Sequence, residues 1–117
     1  MAVNPLTVEG QIQGAIVQGI GWSLMEGYVF YQGKVQNTTF LDYRMPTATD
    51  VPMIDIMLVE VSSERGVYGL KQAGEPPLVP TLSAMANAIH DATGVRIKKL
   101  PMTPEVIWKA LKHQEKS

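Results

Sequence analysis

Gly69-Leu70-Lys71-Gln72-Ala73-Gly74-Glu75-Pro76-Pro77 separates the most strand-like run of the chain, Ile54 to Val61, from a helical pattern that begins near Pro80. Ile54 to Val61 is apolar and rich in β-branched residues, with acids at Asp55 and Glu60, which favours a strand. Beyond the stretch, Leu82, Met85, Ala86 and Ile89 recur at helical spacing, with Pro80 in the first turn and Gly94 as a stop after Thr93. The loop between, Ser62 to Leu78, carries one carboxylate in an unusual frame. Gly74 permits a tight turn or a close approach of other atoms. Pro76 disfavours a helical backbone at Glu75. Glu75 is therefore presented from extended loop backbone, a way to aim a general base. The plainer reading is a solvated loop acid.

Towards the N-terminus, Glu9 to about Gly27 reads as a helix. Ile12, Ala15, Ile16, Gly19, Ile20 and Ser23 form its apolar stripe. A second stripe holds Gln11, Gly14, Gln18 and Gly21, which stacks the two glutamines on one face. Each glycine costs a helix roughly 1 kcal/mol relative to alanine. A helix with this many glycines needs compensation: another backbone packed closely, or a large flat ligand that the Gln amides can both donate to and accept from. Tight helix packing with two surface glutamines is the alternative. Tyr28 to Tyr31, a Gln32-Gly33 turn and Lys34 to Leu41 read as a hairpin. Asn37-Thr38-Thr39 has the form of a glycosylation acceptor, though nothing else suggests secretion. Asp42 to Pro52 is irregular. Thr103-Pro104-Glu105 announces a last helix, with Val106, Ile107, Ala110 and Leu111 as its apolar face and a frayed tail from Lys112 to Ser117.

The expected order is helix, hairpin, strand, loop, helix, helix. This is an α+β fold, a small antiparallel sheet with helices packed on one face, in a single domain spanning residues 1–117.

Composition narrows the function. A net charge of −1 offers no basic patch for nucleic acid. No apolar run is long enough to span a membrane, and Met1 to Pro5 lacks the features of a secretory leader, so a cytoplasmic location is expected. With no Cys, the chain itself holds no disulfide and no iron–sulfur cluster, and His90 and His113 have no metal-ligand spacing around them. His90 fits a helix surface or a helix end instead. Walker-type, dinucleotide-fingerprint and nucleophilic-triad motifs are all missing.

Several collinear segments resemble one family. Asn4-Pro5, Val8 to Ala15 and Gln18-Gly19-Ile20-Gly21 are similar to the C-terminal part of the molybdenum-binding (molybdopterin) large subunit of the xanthine dehydrogenase and aldehyde oxidase family. The likeness continues through Asp42-Tyr43-Arg44-Met45-Pro46-Thr47, Gly69-Leu70-Lys71 with Gly74-Glu75-Pro76-Pro77-Leu78, Ala86 to Ile89, Gly94 to Ile97 and Leu100 to Glu105. It spans essentially the whole chain. Gln72 and Ala73 depart from the family pattern, which commonly has Gly and a β-branched residue there.

The resemblance implies a molybdenum hydroxylase that uses water as its oxygen source to hydroxylate an electron-poor carbon of a purine, N-heterocycle or aldehyde. It implies a molybdopterin cofactor, of the cytosine dinucleotide form in bacteria. Iron–sulfur clusters and FAD are expected on partner chains, and most cofactor and substrate contacts on the remaining part of the molybdenum subunit. Residue by residue, Glu75 matches the family's catalytic base and Gln11 its cofactor-contacting glutamine. Gln18, Lys71 and Gly74 join the cofactor-binding set, with Lys71 equally suited to a supporting place behind it. This chain supplies no metal ligand. It is read as a split subunit, a gene remnant or a C-terminal piece, inactive alone. The competing reading is a non-catalytic assembly module whose exposed apolar helix face drives a homo-oligomer.

Overall fold

The computed structural model describes residues 2–115. Helix α1 spans Pro5–Leu24. It starts four residues before the expected Glu9, because Asn4 and Pro5 form a complete start signal. Asn4 Oδ1 accepts from Thr7 N at 3.1 Å, and Pro5 fills the first helical position, where its missing N–H is not needed. The helix ends at Leu24, where the N–H groups of Met25 and Glu26 both bond to Gly21 O, at 2.9 and 2.8 Å.

A minimal hairpin follows. Strands β1 (Phe30–Tyr31) and β2 (Lys34–Val35) pair antiparallel, Phe30 opposite Val35 and Tyr31 opposite Lys34. Gln32 and Gly33 both have positive φ, 49° and 74°, the signature of the two-residue turn that matches strand twist. The expected return strand to Leu41 stops at Val35. The buried Asn37 takes over beyond it: its amide accepts from Val29 N at 2.9 Å and donates to Gly27 O at 2.7 Å. A side chain here replaces the ladder, and the same two bonds occupy the amide that a glycan would require.

The run Ile54–Val61 forms no ladder among the described residues. Its burial nonetheless alternates as in a strand: Ile54, Ile56 and Leu58 are half-buried, while Asp55, Met57 and Val59 are exposed. The sequence preference is present and the partner strand is not. A short 3₁₀ turn at Val67–Gly69 follows, with positive φ at Tyr68 and Gly69.

Helix α2 spans Leu78–Thr93 and closes as expected on Gly94, whose φ of 72° is left-handed and whose N–H reaches His90 O at 2.7 Å. His90 lies in its last turn. Helix α3, Pro104–Gln114, begins on Thr103, whose hydroxyl accepts from Val106 N. It runs through Lys112 and His113, beyond the expected fray point, with Lys109–Glu105 and Lys112–Glu115 ion pairs along its surface. Lys116 and Ser117 lie outside the described residues.

The architecture is therefore α+β, three helices and a two-stranded antiparallel sheet, and its main contact is α1 on α2. Gly19 is buried there, and a Cβ on it would lie 2.6 Å from Thr81 Cβ and Cγ2 and 3.3 Å from Leu78 Cδ1. The missing side chain is what allows the approach. Gly21 is likewise filled from outside, by Glu26 and by Pro46 Cδ, 2.8 Å from its virtual Cβ. Below this end of α1, Met102 is almost fully buried and its N–H bonds Ser23 O at 2.6 Å. Tyr43 donates to Glu26 Oε2 at 2.7 Å and stacks on Tyr28, pinning the segment after the hairpin to the helix end.

Two outcomes follow from this packing. Gly19→Ala should lower unfolding stability by up to about 2 kcal/mol, because overpacking of about 1–3 kcal/mol opposes a helix gain of about 1 kcal/mol. Gly14→Ala, whose Cβ would meet nothing within 4 Å, should instead raise it by up to about 1 kcal/mol. Thermal unfolding of the two variants side by side checks the order, and a reversed order would overturn the packing assignment. The second outcome concerns Tyr43. Its hydrogen bond to Glu26, then burial, then the nearby Glu26 charge hold its hydroxyl protonated to about pH 12, against an ordinary 10.0. A raised folded-state value means that this link is fully present below pH 10 and is lost as pH climbs to about 12. Ultraviolet titration should show one tyrosinate forming only near pH 12, a late step absent from Tyr43→Phe.

Candidate functional site

The contact between α1 and α2 brings two distant stretches together. Helix α1 exposes Gln11 and, two turns on, Gln18, with the buried Ala15 between them. The turn leading into α2 carries Gly74 and Glu75. The turn is fixed by Leu78 N, which donates to Glu75 O at 3.0 Å, so Glu75 precedes the helix rather than joining it. Together these residues line one cleft of about 480 Å³, with Gly10, Gly14, Trp22 and Leu78 completing it. That volume lies within the usual range for small-molecule sites, about 300–1,000 Å³.

The glycines shape the cleft in two ways. Gly10 and Gly14 face empty space, since a Cβ on either would meet nothing within 4 Å. They leave helix backbone bare to the cleft, so a flat ligand can lie directly against it. Gly74 instead marks where the loop passes the helix: its virtual Cβ lies 3.4 Å, an ordinary contact distance, from Gln11 Oε1.

The structure thus places four of the five sequence-derived residues, Gln11, Gln18, Gly74 and Glu75, in one cleft. Lys71 is elsewhere. It lines an adjoining groove of about 360 Å³ formed by Val3, Val8, Ile12, residues 57–61 and residues 69–73. Gly21, part of the same stripe as the glutamines by spacing, is buried against Glu26 and Pro46 instead. Trp22 and Leu78 were not singled out from the sequence. Trp22 stands four residues after Gln18 and eleven after Gln11, so helical spacing alone carried the signal.

In chemical terms the cleft offers two amides, a carboxylate and an apolar end at Trp22 and Leu78. The amides suit a flat heterocycle with both donors and acceptors on its rim. Among the described residues, no cluster of three His, Cys, Asp or Glu side chains is placed to hold a metal ion. A metal at this cleft would therefore come with ligands of its own, as the metal of an organic cofactor does. No described helix is long and apolar enough to cross a membrane.

Several known proteins are similar to this chain. Residues 1–52, which include Gln11 and Gln18, match the family model described as a molybdopterin cofactor-binding domain. The chain is 43% identical over 108 residues to the xanthine dehydrogenase molybdenum-binding subunit of Escherichia coli O157:H7, covering 91% of this chain and 14% of that protein. The chain belongs to the xanthine dehydrogenase and aldehyde oxidase family, as a segment of its molybdenum-binding subunit. It is also 40% identical over 114 residues to the nicotine 6-hydroxylase large subunit of Paenarthrobacter nicotinovorans, covering 94% of this chain and 14% of that protein. Quinoline 2-oxidoreductase from Pseudomonas putida 86 superposes with a TM-score of 0.85 at 36% identity, over 94% of this chain and 14% of that one. The chain thus spans about one-seventh of the length of these relatives.

Proposed function

We propose that this chain forms one wall of a molybdopterin site and supplies the general base Glu75 to a molybdenum hydroxylase. The observation that carries the reading is the convergence of Gln11, Gln18, Gly74 and Glu75 on one cleft, across more than fifty residues of sequence. When bound, the cofactor supplies the two-electron acceptor for hydroxylation of an electron-poor carbon, with water as the oxygen source. This chain's residues do the rest of the local work. Gln11 and Gln18 hold the pterin edge through amide donors and acceptors. Gly10 and Gly14 let the ring system lie close to α1. Glu75 takes up a proton at a carboxylate oxygen, held at a fixed position by its turn and by Pro76. Trp22 and Leu78 exclude water from the apolar end of the cleft.

On this reading the cofactor is the cytosine dinucleotide form, and partner chains in the cytoplasm would carry the iron–sulfur and flavin groups. Substrates are purines, N-heterocycles or aldehydes. Support for the class comes from the relatives' names, which include xanthine, nicotine and quinoline enzymes. The cleft is open on one side and buries too little of so large a ligand to hold it alone. Turnover therefore needs the remainder of the molybdenum subunit, and the chain by itself is inactive with substrate and a dye acceptor.

In the assembled enzyme, Glu75→Gln should cut kcat at least about 100-fold, the usual contribution of a general base, with molybdenum content unchanged. Glutamine keeps the shape and removes the basicity. Steady-state kinetics together with metal analysis check this: normal turnover in the variant would sink the assignment, and loss of metal would make Glu75 a structural group.

A further inference from the structure

Trp22 stands at one end of the cleft with nothing in this chain to engage its ring. It is 41% exposed, whereas Gly21 and Ser23 on either side of it are buried. Among the described residues its indole stacks on no other ring and donates no hydrogen bond. An indole brings a broad, rigid apolar face, which is suited to lie against another flat ring. Leu78 borders it in the cleft. Gln18, four residues back on the same side of α1, is its helical neighbour, and that amide also has no partner among the described residues.

The cleft has two halves of different construction. Around Gln11 the helix is bare at Gly10 and Gly14, and a ring system can lie on the backbone there. Trp22 is eleven residues, or about 16 Å, further along α1, a span longer than one fused heterocycle. At that end the wall is made of side chains, and Glu75 is held one turn before Leu78 by the bond from Leu78 N to Glu75 O. A cofactor on the backbone half leaves the side-chain half for a second flat molecule. In a hydroxylation that second molecule is the substrate.

We propose that Trp22 is a specificity-determining residue of this site, whose indole face stacks on a flat N-heteroaromatic substrate while the Gln18 amide donates to a nitrogen on the ring edge. The proposal rests on the reading of the cleft as a molybdenum hydroxylase site. It narrows the substrate to purines and other fused N-heterocycles. An aliphatic aldehyde has neither a face to stack on the indole nor a ring nitrogen to accept from Gln18.

Equilibrium dialysis of purine and of quinoline against the assembled, molybdenum-loaded enzyme, with no electron acceptor present, tests this. Trp22→Leu keeps apolar bulk and removes the flat face. It should weaken whichever of the two rings the enzyme binds by about 10- to 100-fold, the range for bases stacked on aromatic side chains. Trp22→Phe keeps a face and should restore most of the affinity. Molybdenum content should match the wild type in both variants. Equal affinity in wild type and Trp22→Leu overturns the proposal, as does a wild-type enzyme that binds neither ring. A Trp22→Phe enzyme as weak as Trp22→Leu overturns the stack. Molybdenum lost together with ring binding assigns Trp22 to the cofactor and overturns the proposal as well. Dialysis needs no turnover, so the base is judged separately. Weakened ring binding in Trp22→Leu alongside an active Glu75→Gln enzyme would reject only the base. Unchanged ring binding alongside an inactive Glu75→Gln enzyme would reject only the stack.

Discussion

The close contact of α1 with α2 at Gly19 is the constraint on which the rest of the structure depends. Thr81 and Leu78 fill the space that a side chain at residue 19 would take. That approach fixes where α2 begins relative to α1, and so where the turn before α2 must pass. The turn carries Gly74 and Glu75, and it passes the Gln11 end of the helix face. The position of the proposed base is thus set by a contact about two helical turns away along α1, through rigid helix rather than through any bond to Glu75 itself.

The same helix uses its glycines for three different tasks, which explains how α1 tolerates them. Gly19 admits a neighbouring helix and Gly21 admits Glu26 and Pro46. Gly10 and Gly14 are the two that nothing fills. Two vacant positions on one exposed face, at a cost of roughly 1 kcal/mol each, are hard to account for as packing. They are economical if something outside this chain lies against the helix there. Tight packing accounts for Gly19 and Gly21, and nothing among the described residues packs on Gly10 or Gly14.

How much of this was legible in the sequence depended on how local each signal was. The start of α3 at Thr103-Pro104, the stop of α2 at Gly94 and the Gln32-Gly33 turn rest on bonds within a few residues, and all three stand in the structure. The start of α1 was readable from Asn4-Pro5, but the apolar periodicity begins later and pulled the expected boundary to Glu9. The convergence of Gln11 and Gln18 with Glu75 has no local signal at all. The family resemblance paired them, and no spacing could have. Lys71 shows the limit of proximity in sequence: four residues from Glu75, it lines a different groove because the chain turns at Gly74.

Ile54–Val61 is the instructive failure. Its β preference was read correctly at the level of side chains, and the alternation of burial bears that out. A ladder, however, is a property of two strands, and composition reports on only one of them. The described chain has a radius of gyration of 17.8 Å, against about 13 Å for a compact domain near this size, and its largest fully buried side chains are Met102 and Ser23. Apolar content of 45% is ample for an ordinary core. The sequence therefore encodes burial that these residues cannot supply to one another. Local caps and the Gly19 contact hold the helices in place. The hydrophobic surface that would normally close a core around them faces outward, toward the surface that the proposed cofactor and the rest of the subunit would cover.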